Sequence, residues 1–194
     1  MKLKKEQISF KNSYKILNFC HILFIVANLK VFKTKKINIG LLVHDNIQCK
    51  CFVGSSGIGK KTREGDKVTP IGTFVFSEVY YRPDKVKYLK TSLPLKKINK
   101  SSFWCVDPKS KFYNSFQTKK NYVCEDLYRD DDLYDIFITF NYNLGNIKKF
   151  KGSAIFLHCS DISKDRTDGC IALKKEILLK LLNSIKTYSK LIIL

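Results

Sequence analysis

Two residues of the 194-residue sequence, His158 and Cys170, have side chains that together could perform nucleophilic catalysis. A free thiol has a pKa of about 8.5, so it needs a base to become a nucleophilic thiolate at neutral pH. Histidine suits that task because its pKa lies close to neutrality. Eleven residues separate the two, and a loop of that length can bring them within hydrogen-bonding distance. The alternative interpretation is a buried structural thiol and an unrelated histidine.

The residues beside this pair add to the catalytic interpretation. Gly169 directly precedes the cysteine and would leave space for a substrate backbone. Backbone N–H groups at Gly169 and Cys170 could stabilise an oxyanion. Cys159 follows the histidine, and two interpretations of it stay open: a buried strand thiol, or an oxidation partner for Cys170.

The segments around the pair predict mostly β structure. An unbroken apolar run at residues 154–157 leads to His158 and predicts a buried strand ending at the histidine. Further strands are predicted at residues 37–43, 49–53, 73–76 and 133–140. After Cys170, one apolar stripe at helical spacing predicts a helix that packs on a sheet, formed by Ile177, Leu178, Leu181, Leu182 and Ile185. The closing LIIL predicts a final buried strand, and the absence of repeats or linkers predicts one domain.

Composition limits the classes of function. Lys and Arg total 36 against 17 Asp and Glu, which gives a net charge of +19 and favours an anionic partner. The charge is scattered and mostly lysine, without a zinc-finger spacing or an RNA-binding aromatic motif, so no nucleic acid partner is expected. The seven cysteines are an odd number and include no two CxxC pairs, so no metal is expected either.

Residues 1–34 form an N-terminal segment with two interpretations. Several lysines precede a moderately apolar run at residues 16–29, which is typical of an export signal or anchor. The run contains polar residues and no clear cleavage site follows it, so a first β-strand is the alternative. Membrane contact is expected only if this segment acts as an anchor.

Two other stretches look like ligand sites but lack the required residues. The glycine-rich loop at residues 54–59 is followed by two lysines, where a phosphate-binding loop needs Lys and then Ser or Thr. The acidic cluster at residues 125–132 lacks the alternating oxygens and central glycine of a calcium loop. We interpret the first as a strand connection and the second as a solvated turn or helix cap.

Several separated motifs resemble one enzyme family. They are Thr69-Pro70-Ile71-Gly72-Thr73-Phe74 upstream, then His158, then Thr167-Asp168-Gly169-Cys170. In this order they resemble the YkuD-type L,D-transpeptidase catalytic domain, in particular a branch of short single-domain bacterial members. The resemblance spans roughly residues 37–194 and implies a catalytic domain at 35–194. The sequence departs from it at Cys159, Asp168 and Ala172, where many members have Gly, His and Arg.

The resemblance implies both a fold and a reaction. The fold is mainly β, a sandwich or barrel-like pair of sheets with a C-terminal capping helix and a final strand. The reaction is acyl transfer between peptidoglycan stem peptides: Cys170 forms a thioester and His158 moves the proton, without a cofactor. Two alternatives stay open, namely hydrolysis of the same thioester and non-catalytic binding of an anionic polymer.

The expected substrate contacts follow from the carboxylates of the stem peptides. An aromatic pair beside an arginine, at Tyr81 and Arg82, suits a carboxylate-holding groove, although a strand end with a solvated arginine explains it equally well. The full set of expected substrate-binding residues is Arg63, Tyr81, Arg82, Trp104, Tyr113, Arg166 and Thr167. Sheet packing is the alternative role for the aromatic members. A monomer exported to the periplasm or cell envelope is expected.

Overall fold

A computed structural model describes residues 28–160 and 165–194 of the chain. Within these residues the structure is mainly β, with one α-helix near the C-terminal end. The strands, numbered in chain order, are β1 (Leu29–Lys33), β2 (Ile39–His44), β3 (Ile47–Phe52), β4 (Ile58–Gly59), β5 (Thr69–Pro70), β6 (Gly72–Tyr81), β7 (Leu95–Lys97), β8 (Phe103–Cys105), β9 (Ser115–Gln117), β10 (Cys124–Asp126), β11 (Ile136–Phe140), β12 (Phe156–Cys159), β13 (Ile171–Leu173) and β14 (Lys190–Ile193). The helix α1 spans Lys175–Ser184.

Eight strands close into a β-barrel. Their order is β11-β12-β13-β3-β2-β1-β14-β6, and the last strand, β6, also pairs with the first, β11, which completes the ring. Closure removes the free edges that an open sheet would present to solvent. The predicted mainly β, barrel-like fold with a C-terminal helix and final strand is therefore confirmed.

Two smaller sheets lie outside the ring. Strands β8, β9 and β10 form one antiparallel sheet in the order β10-β8-β9, and β4 pairs with β5 in parallel. The sequence predicts no strand in the middle of the chain, because the strands there are only three residues long and have little periodicity. This small antiparallel sheet forms part of the wall of a cavity.

The buried apolar residues fall into two clusters. The barrel cluster joins residues from the ring strands to Leu178, Leu181 and Leu182 of α1, as the helical stripe predicted. The second cluster lies between the small sheet and β6, β11 and β12, and its aromatic rings stack closely: the centroids of Phe137 and Phe156 are 4.5 Å apart. The two clusters contact opposite faces of β12. Cys159 belongs to the barrel cluster and Cys170 to the second cluster.

Part of the N-terminal segment is built into the barrel. Strand β1 pairs antiparallel with β2 and parallel with β14, and Leu29 and Val31 are fully buried. The predicted signal or anchor segment comprises residues 1–34, of which residues 1–27 lie outside the described residues. Over residues 28–160 and 165–194, no helix has the length and apolar character needed to cross a membrane.

Candidate active site

His158 and Cys170 line the same cavity, whose volume is about 700 Å³. His158 lies in β12, and Cys170 directly precedes β13, the parallel neighbour of β12. Leu157 is paired with Ile171, so Cys170 stands beside Phe156 in the register. Because side chains alternate along a strand, Phe156 and His158 share one face, and Cys170 belongs to that face as well. The predicted pair is therefore brought together on neighbouring strands.

The thiol of Cys170 is held by the backbone of the preceding segment. It donates a hydrogen bond to the Ala154 carbonyl at 3.0 Å and accepts one from the Phe156 N–H at 3.2 Å. Burial raises the pKa of the thiol to about 12, with the Phe156 N–H acting in the opposite direction. The Cys170 side chain is therefore a neutral thiol at neutral pH.

His158 is fixed in one orientation and one tautomer. Its Nδ1 lies 2.7 Å from the carbonyl oxygen of Cys159. A carbonyl can only accept, so Nδ1 carries the proton and Nε2 keeps a free electron pair. Burial lowers the pKa of the imidazole to about 4, which keeps the ring neutral at neutral pH. A neutral imidazole beside a neutral thiol is the protonation state in which histidine can act as a base.

Gly169 is required by the shape of the loop before the nucleophile. Its φ is +132°, a conformation that side-chain-bearing residues rarely adopt. A Cβ at this position would lie 2.9 Å from Ile155 Cδ1 and 3.0 Å from the Val68 carbonyl oxygen. The residue thus lets the loop pass close to two neighbouring segments.

Two threonines hold the Gly169–Cys170 turn. Thr167 Oγ1 donates to the Cys170 carbonyl at 2.7 Å and accepts from the Gly169 N–H at 3.2 Å. Thr69 Oγ1 donates to the same carbonyl at 3.3 Å and accepts from the Gly54 N–H at 2.8 Å. The Thr-Pro-x-Gly motif therefore connects to the nucleophile through a buried hydroxyl, and Thr167 acts on the turn from within the cavity lining.

Lys61, which was not among the predicted site residues, places a cationic side chain beside the turn. Lys61 lines the cavity, and its side chain is only 2% exposed. Its ammonium group lies 2.5 Å from Asp66 Oδ1 and 3.4 Å from the Val68 carbonyl. Burial and the charge of Glu125 raise the pKa of Cys170, and the charge of Lys61 lowers it.

The cavity lining also contains a second charged group that reasoning from sequence missed, Glu125. Glu125 is hydrogen-bonded to Tyr134, and the Tyr134 ring meets the His158 ring edge-on at 5.5 Å. Burial raises the pKa of the Glu125 carboxyl. Arg129 lies nearby in the lining and forms two hydrogen bonds with Asp131, at 2.8 and 2.5 Å. The interpretation of residues 125–132 as a solvated turn is therefore wrong for Glu125, since the small sheet folds it against the cavity.

The structure places the other predicted substrate residues differently. Arg166 lines the cavity with a side chain that is 67% exposed, 3.8 Å from Asp165. Arg82 is buried outside the cavity lining, where it pairs with Asp84 at 2.6 Å and donates to the Arg129 carbonyl at 2.6 Å. It therefore reaches the site only through the backbone of Arg129.

Tyr81 and Arg63 also lie outside the lining. Tyr81 is half-buried at the end of β6 and packs against the barrel cluster. Arg63 is exposed, and its backbone N–H donates to Asp66 at 3.2 Å. Of these two residues, neither has its side chain among those around the cavity.

Trp104 and Tyr113 are buried and act on the segment that precedes His158. Trp104 Nε1 donates to Asn114 Oδ1 at 2.9 Å, and the same oxygen accepts from the Ala154 N–H at 3.0 Å. Ala154 has a φ of +50°, and its carbonyl accepts from Cys170. Tyr113 donates to Glu64 and accepts from the Gly152 N–H. Both aromatic side chains are buried and lie outside the cavity lining, which agrees with the alternative role of packing rather than with substrate contact.

Cys159 lies on the other face of β12. Its thiol donates to the Ile136 carbonyl at 3.6 Å and belongs to the barrel cluster, whereas Cys170 belongs to the second cluster. The structure therefore supports the buried strand thiol over the oxidation partner. Among the described residues, all six cysteines are free, and no group of three or more His, Cys, Asp or Glu is arranged to hold a metal.

One family model and two solved structures match this chain. The family model of the YkuD L,D-transpeptidase catalytic domain matches residues 18–193. Two solved structures are similar, Bd1075 from Bdellovibrio bacteriovorus and the K307A mutant of the helical cell shape determining protein Pgp2 from Campylobacter jejuni. Their identities are 15% and 16%, both TM-scores are 0.44, and the matches cover 87% and 86% of this chain.

Those matches cover 48% and 47% of the two proteins, so the chain spans about half of their length. A comparison with curated protein sequences gave no significant match. The family match covers nearly the whole chain, including both members of the thiol–imidazole pair. The chain therefore belongs to the YkuD family of L,D-transpeptidase catalytic domains.

Proposed function

We propose that the protein is a cysteine acyltransferase that cross-links peptidoglycan stem peptides through a thioester on Cys170. The observation that carries the proposal is the placement of Cys170 and a tautomer-fixed His158 on one face of neighbouring strands, in one cavity. Family membership supplies the substrate class, and the cavity supplies the chemistry.

The first half of the reaction consumes the donor stem. His158 Nε2 accepts the proton of the Cys170 thiol as the sulfur attacks a stem carbonyl carbon. The Gly169 N–H is already bonded to Thr167 Oγ1, so the Cys170 N–H is the better placed donor to the oxyanion. Collapse of the tetrahedral intermediate breaks the C–N bond, and the imidazolium returns its proton to the leaving amine.

The second half forms the new bond. An amine of an acceptor stem attacks the thioester carbonyl, His158 takes its proton, and the thiol is released with that proton. Water in place of the amine would give hydrolysis. Arg166 is our candidate for contact with a stem carboxylate, because its side chain is 67% exposed at the cavity and lies 3.8 Å from Asp165, whereas Arg129 and Lys61 each hold a carboxylate at 2.5 Å.

The test is incubation of purified protein with muropeptides, followed by mass spectrometry of the products. Cross-linked dimers are expected from the wild type and none from Cys170→Ala. Cys49→Ala is the matched control, because Cys49 is also a free cysteine but lies on β3, outside the cavity lining. Shortened monomers without dimers would replace transfer with hydrolysis. Unchanged muropeptides with the wild type would leave polymer binding as the better interpretation.

We also propose that the protein works in the cell envelope, because stem peptides lie outside the inner membrane. Mass spectrometry of the mature N-terminus from cells tests this. Removal of part of residues 1–27 would support export through a cleaved signal. An intact N-terminus on protein recovered from the cytosolic fraction would contradict it.

A further inference from the structure

Cys105 and Cys124 lie opposite each other on two adjacent strands of the small sheet that forms part of the cavity wall. They are direct partners in the antiparallel pairing of β8 with β10. Pairs one and three positions away carry ladder hydrogen bonds, from the Val106 N–H to the Val123 carbonyl at 2.9 Å and from the Leu127 N–H to the Ser102 carbonyl at 3.0 Å. The alternation of an antiparallel ladder therefore places the two cysteines at a non-hydrogen-bonded position, where side chains approach most closely.

Such a position has the spacing that a disulfide needs. The Cα atoms of a non-hydrogen-bonded pair lie about 4.5 Å apart. Disulfides span Cα distances of about 4.4–6.8 Å. Burial raises the pKa of the Cys124 thiol, and the Cys105 side chain is near enough to raise it further, in agreement with this spacing. Cross-linking them therefore requires a rotation of the side chains rather than a movement of the strands.

We propose that Cys105 and Cys124 form a reversible disulfide site in the wall of the catalytic cavity. Cys124 lines the cavity and is half-buried, so an oxidant can reach it, whereas Cys105 is fully buried. The thiolate of Cys124 attacks a disulfide-bearing oxidant and releases one of its thiols. Cys105 then attacks the mixed disulfide, forming the Cys105–Cys124 bond and releasing the second thiol. The two cysteines lose two electrons and two protons, and the oxidant gains them.

The other described cysteines lack this arrangement. Cys49 and Cys51 lie two positions apart on β3, which separates them by about 6.5–7 Å along an extended strand. Disulfides need Cβ atoms about 3.5–4.5 Å apart. Cys159 and Cys170 belong to different clusters on opposite faces of β12. The preference for one pair is therefore a property of the fold and should disappear on unfolding.

The bond would restrain the cavity wall at its charged part. Glu125 follows Cys124 directly, lines the cavity and bonds Tyr134, whose ring contacts His158. A covalent link from β10 to β8 would tie this residue to the strand that carries Trp104. We expect slower hydrogen exchange at the β10 amides in the oxidised protein, with little change in the barrel strands.

Peptide mapping after equilibration with oxidised and reduced glutathione tests the site. Trypsin releases Cys105 in the peptide 101–109 and Cys124 in the peptide 121–129, because Lys100, Lys109, Lys120 and Arg129 flank them. In folded wild-type protein these two peptides should convert into one linked species, and dithiothreitol should separate them again. Oxidation in urea should distribute the bonds among other cysteine pairs.

Cys49→Ser is the matched control and should form the link as the wild type does. Cys124→Ser should abolish it without creating another. Recovery of 101–109 and 121–129 as separate free or glutathione-bearing peptides from folded, oxidised wild type would overturn the proposal. Because no substrate enters this experiment, its failure is distinguishable from failure of the acyl-transfer proposal.

Discussion

The two faces of strand β12 place similar groups in different surroundings. Cys159 points into the barrel cluster, and Cys170, directly before the neighbouring strand β13, lies on the face of β12 that carries His158. Burial raises the pKa of both thiols to about 12. Burial and thiol pKa therefore do not distinguish Cys170, the proposed nucleophile, from Cys159. What distinguishes them is a base on the same face and an opening to solvent.

The largest effect is expected from removal of that base. His158→Ala should lower the acyl-transfer rate by about 10²–10⁴-fold, the usual contribution of general acid–base catalysis. The loss follows because a thiol with a raised pKa then has no group that accepts its proton. Single-turnover formation of the Cys170 thioester, followed by mass spectrometry, measures it.

His44→Ala is the matched control for this variant. His44 is a buried histidine on β2, bonded to Ser184 at 2.8 Å and outside the cavity lining. Its replacement should lower stability but preserve thioester formation. Equal rates for wild type and His158→Ala would show that the comparison between the two faces of β12 is wrong.

A smaller loss is expected at the turn before the nucleophile. Gly169→Ala adds a Cβ 2.9 Å from Ile155 and 3.0 Å from the Val68 carbonyl, at a φ of +132°. Relieving the clash would move Cys170 relative to His158, and misplacement by about 1 Å can cost on the order of 10²-fold in rate. Steady-state rates and the melting temperature of the variant measure the two consequences.

Gly145→Ala separates backbone strain from the clash. Gly145 has a φ of +80°, but a Cβ there would meet no atom within 4 Å. It should lower the melting temperature and leave the rate unchanged. A full rate in Gly169→Ala would mean that the turn does not set the position of the thiol.

Acidification should remove activity at an unusually low pH. The pKa of His158 is lowered to about 4 by burial, so the imidazole stays neutral and able to accept a proton through pH 5. One pH unit below 4, about a tenth of the molecules keep a neutral imidazole, and the rate should fall about tenfold. A profile of kcat/KM against pH checks this, and a midpoint near 6.5 would contradict a buried base.

The same shift makes a statement about stability. The folded-state pKa lies below the unfolded value of about 6.5, so the unfolded chain binds the proton more readily. The contribution of His158 to stability is therefore complete above pH 6.5 and is lost as the pH falls towards 4. His158→Gln, which cannot titrate, should flatten that part of the curve of unfolding free energy against pH.

Much of this site was accessible from sequence because its parts are local patterns. An apolar run ending in His158, and a glycine before Cys170, indicate a strand and a turn without knowledge of the fold. The order of motifs from Thr69 to Cys170 then identified the family. The leucine stripe of α1 was predictable for the same reason, because the residues of one helical face recur every three to four positions within a short stretch of sequence.

The remaining parts depend on contacts between distant segments. Glu125 reaches the cavity only because β8, β9 and β10 form a small sheet, and strands of three residues carry almost no period. Arg82 looked like a free arginine beside aromatic residues, but Asp84, two residues along the chain, pairs with it and Tyr128 lies against it. Cys159 and Cys170 are likewise separated by the pairing of β12 with β13, and a single sequence does not reveal which strands pair.

The smallest effect on activity is expected at the thiol that faces the barrel. Cys159→Ala removes a buried sulfur and should lower the free energy of unfolding by about 1–2 kcal/mol through the cavity it leaves. For a domain of this size, each kcal/mol corresponds to a shift of about 2–4 °C in melting temperature. The backbone carbonyl that fixes His158 Nδ1 belongs to Cys159 and is unaffected by the change of side chain. Thioester formation at 25 °C should therefore proceed at the wild-type rate. A slowed reaction in a variant that stays folded would show that the barrel face of β12 also positions the base.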